Sequence, residues 1–114
     1  MEKPTEAIVL KAYDLLKYAV PVLNALPRDY KFTLGDRIHN HLLDLLESLL
    51  EAVYLPAAEK KPVLRQVNLR LEKLRFMFRL GHDLNLFQAS VYQQLITQAD
   101  EIGRMTGGWL RTLG

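Results

Sequence analysis

A chain of 114 residues has room for one hydrophobic core and not for two. With 49% hydrophobic and 25% charged residues it has the composition of an ordinary globular domain, and the lack of cysteine excludes a disulfide framework and thiolate chemistry. A formal net charge of +2 is too small to mark a nucleic-acid binder by charge alone.

No apolar run approaches the ~20 residues that span a bilayer. The N-terminal "MEKPTEAIVLKAYD" sets Glu2 and Glu6 ahead of a broken apolar run, unlike a signal peptide, so a cytoplasmic location is expected. Sustained period-2 alternation and hairpin dipeptides are absent, whereas helical periodicity occurs four times.

The first helix is predicted over about 5–26, with Ile8, Val9, Ala12, Leu15, Leu16, Ala19, Val20 and Leu23 on one face and Pro21 on the polar side. The second is predicted over 34–54, with Thr33 and Asp36 as a capping-box-like pair. "LPAAEKKP" is expected to turn, with Pro62 in the first turn of a third helix over 62–83. Ser90 and Gln93 are expected to cap a fourth helix over 91–112. The expected fold is therefore all-α: one domain over 1–114, an antiparallel up-down-up-down four-helix bundle.

Two helices carry more apolar surface than one core needs. On the third, Val63, Leu64, Val67, Leu71, Leu74 and Phe78 form the core stripe, while Leu69, Phe76 and Leu80 cluster nearly opposite. On the second, apolar residues from Leu34, Ile38 and Leu45 round to Leu43, Leu50 and Tyr54 cover half the circumference or more. A second stripe at Leu69, Phe76 and Leu80 points to an oligomer interface, most simply in a cyclic homo-oligomer. Charge is also unevenly placed. From Glu59 to Arg79 there are seven Lys/Arg against two Glu, and from Thr33 to Tyr54 there is Arg37 against Asp36, Asp44, Glu47 and Glu51. Such a dipolar chain is suited to head-to-tail or partner association.

Gly103, Gly107 and Gly108 interrupt the fourth helix, each at a cost of ~1 kcal/mol against alanine. Gly103 and Gly107 are four apart at the margin of the face formed by Val91, Leu95, Ala99, Ile102, Thr106 and Trp109, a spacing that favours close helix packing.

Chemistry is sparse. His39 and His41 point about 200° apart on a helix and cannot share a metal, and Asp36–His39 occurs once where a di-metal bundle site needs two such pairs. Neither a metal nor another cofactor is expected, and no nucleophile–base arrangement assembles, so no catalytic residue is assigned and an enzyme is not expected. The basic residues are the functional candidates. Arg75 and Arg79 are one turn apart with Arg65 on the same broad side, Arg70 and Lys73 flank the third helix, and Arg104 and Arg111 lie seven apart on the fourth. Arginines so spaced can track a phosphate backbone; equally, they can form a solvated face in which Glu72 pairs with Arg75 or Arg79.

Read together, "FTLGDRIHNHLLDLLESLLEAVY", "NLRLEKLRFMFRLGHDLNL" and "EIGRMTGGWL" resemble one family. It comprises the four-helix-bundle accessory variability determinants of diversity-generating retroelements and proteins encoded in intervening sequences of bacterial 23S ribosomal RNA genes. The resemblance covers about 26–110 and is most telling at Leu74-Arg75-Phe76 with Arg79, and from Glu101 to Trp109. It implies a homopentamer that has no catalytic activity, associates with a reverse transcriptase and its template RNA, and supports mutagenic reverse transcription. On that basis Arg75 and Arg79, then Arg104 and Arg111, are the expected contacts to nucleic acid or polymerase. The alternative is an interaction or scaffold bundle, like the ribosomal relatives, that binds no nucleic acid.

Overall fold

The computed structural model describes residues 4–114, with side chains from Glu6 onward; Glu2, used above at the N-terminus, lies outside them. Four long helices make up the fold: α1 (Pro4–Asn24), α2 (Asp36–Tyr54), α3 (Ala57–Asp83) and α4 (Ala89–Thr112). No strand occurs among the described residues. Consecutive helices pack side by side and α4 closes on α1, so the topology is the up-down-up-down bundle expected. The molecule measures 43 × 23 × 21 Å, matching the ~40 Å length of a 27-residue helix at 1.5 Å per residue.

The core follows from spacing. Ile38, Leu42, Leu45, Leu49 and Ala52 of α2, and Leu64, Val67, Leu71, Leu74 and Phe78 of α3, alternate steps of three and four and are fully buried. Ile8, Ala12, Leu15, Ala19 and Leu23 of α1 and Leu95, Ala99 and Ile102 of α4 complete the set. That alternation keeps one seam turned inward along the whole helix, the condition for near-antiparallel bundle packing. Buried Thr106 satisfies its hydroxyl by donating to the Ile102 carbonyl at 2.8 Å. Pro21 is exposed within α1, as its polar-side position required. Among the described residues, no helix is long and apolar enough to cross a membrane.

The helix ends differ from expectation. No side chain caps α2: it continues from a short turn (Arg28–Tyr30) and a π-helical stretch (Lys31–Gly35). The Thr33 hydroxyl instead donates backward to the Asp29 carbonyl at 3.0 Å, so the Thr33–Asp36 box does not form. Gly35 is buried here, and a methyl on it would lie 3.3 Å from Leu26 Cδ1 and 3.4 Å from the Tyr30 carbonyl.

Helix α3 begins at Ala57, five residues before Pro62, which therefore sits in the helix rather than opening it. Only Leu55–Pro56 turns. The early start lets Lys60 reach back and donate to the Ala52 and Val53 carbonyls at 2.6 and 3.1 Å, capping α2 at the end where the helix dipole favours a cation. Helix α4 begins at Ala89 with no side-chain cap, so the Ser90–Gln93 box is also absent; Gln93 donates along the helix to Thr97.

The α3–α4 connection is tied back onto the end of α3. Leu86 N–H donates to the Gly81 carbonyl and Asn85 N–H to the His82 carbonyl, with Asn85 at φ 60, which is a Schellman C-cap. The chain then folds Phe87 onto Gly81, and His82 stacks on Tyr92 of α4 with ring centroids 4.5 Å apart.

Candidate nucleic-acid and partner interface

The seven basic residues between Glu59 and Arg79 fall into two groups. One group is engaged within the chain. Arg75, with a side chain 25% exposed, donates from Nε to Asp100 Oδ1 of α4 at 2.7 Å and from Nη1 to Glu72. Its guanidinium occupies the space left by Gly103, where a methyl would come within 2.8 Å of Nη2. Arg70, also 25% exposed, donates from Nη1 to His41 Nδ1 at 2.7 Å and to Asp44 Oδ2 at 3.3 Å across the α2–α3 seam. Burial, and then the charges of Arg70, Arg37 and Lys73, lower the His41 pKa against the opposing pull of Asp44. His41 therefore stays neutral near pH 7 and can accept from Arg70. Lys60 is the α2 cap, and Lys61 Nζ donates to the Gly114 carbonyl at 2.6 Å.

The other group is exposed. Arg79 is 66% exposed and lies 3.7 Å from Asp83. Arg65 and Lys73 on α3, and Arg104 and Arg111 on α4, are exposed, and no ion pair forms to them among the described residues. The Arg111 guanidinium lies over the glycine pair: methyls on Gly107 and Gly108 would meet only it, at 3.6 and 3.7 Å. Thus in the single chain Gly103 accommodates an arginine side chain, and among the described residues no backbone of another helix comes within 4 Å of a methyl built on Gly107.

An open groove of about 410 Å³ runs between α3 and α4, lined by Asn68, Glu72, Arg75, Asp100, Gly103 and Arg104. A second of about 300 Å³ lies toward the other end of the seam, with Phe76, Arg79, Tyr92 and Ile96 on its walls. On the outer side of α3, Leu69, Phe76 and Leu80 are exposed, Phe76 by 67%. The structure therefore brings the apolar stripe and the exposed cations onto adjoining parts of one surface, and it withdraws Arg70 and Arg75 into ties between helices.

Some features escaped the sequence. Glu72–Arg75 was visible as an i, i+3 pair, but Asp100 lies 25 residues from Arg75 and no local pattern joins them. Lys60 also approaches the half-buried Trp109 ring at 5.7 Å, a contact between opposite ends of two consecutive helices. Gly81 had a local signal, a glycine four residues before an asparagine at a helix end, and so did Leu10, which lies about 200° round α1 from Ile8 and off the core face.

A comparison with curated proteins returns no match. A family model described as bAvd-like matches residues 7–113, nearly the whole bundle including both faces of α3, and on this the chain belongs to the bAvd-like family.

Proposed function

We propose that this chain is a non-catalytic accessory subunit of a diversity-generating retroelement. It binds the reverse transcriptase and the template RNA or DNA through basic faces of a cytoplasmic homo-oligomer, a pentamer by resemblance, and supports mutagenic reverse transcription. Membership of the bAvd-like family across 7–113 is the observation that carries this reading. The exposed cations support it: Arg104 and Arg111, with Arg65 and Lys73, hold charge that the fold does not use up, and Arg79 is spent only in part on Asp83. Arg75 and Arg70 contribute by fixing the helices that present them. Repetition around an oligomer multiplies a modest charge per chain into a continuous field. The stripe of Leu69, Phe76 and Leu80 supplies the oligomer contact.

One observation favours a second reading, a scaffold bundle that binds no nucleic acid: four of the seven cations from Lys60 to Arg79 already serve ion pairs or helix caps. The two readings separate in an affinity capture of the tagged chain from its host, with and without ribonuclease. Recovery of a reverse transcriptase with one dominant structured RNA, lost on Arg104→Glu with Arg111→Glu, supports the accessory subunit. Recovery of the chain alone refutes it.

A further inference from the structure

Exposed apolar residues also occur away from the α3 stripe. Leu10 and Tyr13 of α1 and Leu50 and Tyr54 of α2 are all exposed, Tyr54 by 82%. They share one side of the bundle. Lys11 of α1 reaches Glu101 of α4 at 3.2 Å, and Tyr13, two residues on, lies about 200° round the helix from it, on the side of α2. His41 of α2 faces Arg70 of α3, and Leu50, nine residues on, lies about 180° from it, on the side of α1. The antiparallel register is set where Gly35 sits beside Leu23 and Leu26, and it brings Leu10 and Tyr13 level with Leu50 and Glu47. The α2 part of this patch forms a groove of about 510 Å³ walled by Glu47, Leu50, Glu51, Tyr54 and Leu55. Neither Glu47 nor Glu51 has an ion-pair partner among the described residues.

The outer face of α3 is its chemical complement. There Leu69, Phe76 and Leu80 are flanked by Arg65 and Lys73, two exposed cations that lack ion-pair partners among the described residues. One chain thus carries an apolar patch edged by carboxylates and a second, on another side, edged by cations. We propose that these two faces bind each other between copies: the α1–α2 patch of one copy receives the α3 stripe of the next. This rests on the homo-oligomer proposed above and names the faces it uses. Because the two patches differ, the contact is heterologous, and every copy presents one donor and one acceptor face. Apolar burial supplies the adhesion, while the flanking charges set which faces meet.

Sedimentation velocity over a concentration series tests the pairing. Wild type is expected to sediment as an oligomer. Glu47→Lys with Glu51→Lys, and separately Arg65→Glu with Lys73→Glu, should each weaken self-association by about tenfold or more, because like charges then oppose. A chain carrying all four changes should reassemble, because opposite charges then meet again at every contact. Should a reversal unfold the chain by circular dichroism, Tyr54→Ser, which trims a ring already in solvent, takes its place with the same expected weakening. A monomeric wild type overturns the proposal, as does assembly indifferent to the carboxylate reversals and to Tyr54→Ser, or a folded chain with all four changes that fails to reassemble. Loss of assembly on Phe76→Glu, together with indifference to Glu47→Lys, Glu51→Lys and Tyr54→Ser, would keep the oligomer and overturn this pairing alone. None of these outcomes depends on capture of a polymerase.

Discussion

Two glycine-to-alanine substitutions should change stability in opposite directions. At Gly81 the new methyl would lie 2.6 Å from Phe87 Cδ2 and 3.0 Å from Cζ, and closer still to Cε2. Carbon atoms rest at about 3.5–4.0 Å, so the ring must move by about an ångström. Phe87 is only 3% exposed, and the chain on either side of Gly81 is held by the Leu86 and Phe87 N–H bonds to its carbonyl. Withdrawing the ring forfeits much of the ~1.5–3 kcal/mol that burial of a phenylalanine provides. Alanine returns up to ~1 kcal/mol of helix propensity, leaving Gly81→Ala destabilised by about 1–2 kcal/mol. In a domain of this size that lowers Tm by on the order of 5–10 °C. At Gly107 the methyl meets only the mobile end of Arg111 at 3.6 Å, so the propensity gain of up to ~1 kcal/mol should appear as a higher Tm. Thermal unfolding followed by far-ultraviolet circular dichroism, at one protein concentration, measures both. A Gly81→Ala chain as stable as wild type would refute the reasoning. A Gly107→Ala chain that is less stable would mean that a second copy's backbone packs there, the close helix packing that the spacing of Gly103 and Gly107 expresses.

The other substitutions probe single interactions. Asn85→Gly removes the strain of a side chain at φ 60 and should stabilise by about 0.5–1 kcal/mol in the same melts; a loss would show that the asparagine side chain matters to the cap. A double-mutant cycle on Arg75→Ala and Asp100→Ala should return a coupling of about 0.5–1 kcal/mol, kept small because Asp100 is 43% exposed, and no coupling would mean the pair does not tie α3 to α4. The folded-state pKa of His41 lies below its ordinary 6.5, so its contribution is present above that pH and lost as pH falls through the lowered value, when Nδ1 takes a proton and can no longer accept from Arg70. Wild type should therefore lose more Tm on acidification than His41→Gln, and parallel curves would overturn that role.

Local rules carried much of the fold. The three-and-four spacing of Ile38, Leu42, Leu45 and Leu49, and of Leu64, Val67, Leu71 and Leu74, is a property of the chain and is directly what the bundle buries. The helix ends were harder because each is set by a competition that a sequence pattern scores from one side. Thr33 can accept from a downstream N–H as a cap or donate to an upstream carbonyl, and the π-helical turn takes the second option. Pro62 suits a first turn, but the preceding alanines and lysines extend the helix, and the Lys60 cap adds a contact with α2 that only the folded chain creates.

The same competition governs the candidate site. Counting cations along α3 overstates the charge available to a partner, because a cation next to a carboxylate contributes little field beyond a few ångströms. Pairing removes most of the reach of Arg70 and Arg75 and part of that of Arg79, and leaves Arg65, Lys73, Arg104 and Arg111. Removing a phosphate contact should reduce the salt dependence of binding by about one unit of slope. For capture of RNA by the assembled protein, Arg104→Ala and Arg111→Ala should therefore flatten that dependence. Arg75→Ala should weaken binding only as far as it loosens the α3–α4 seam, with the slope unchanged. A reduced slope for Arg75→Ala alone would place the phosphate at Arg75, where Asp100 and Glu72 would first have to release it.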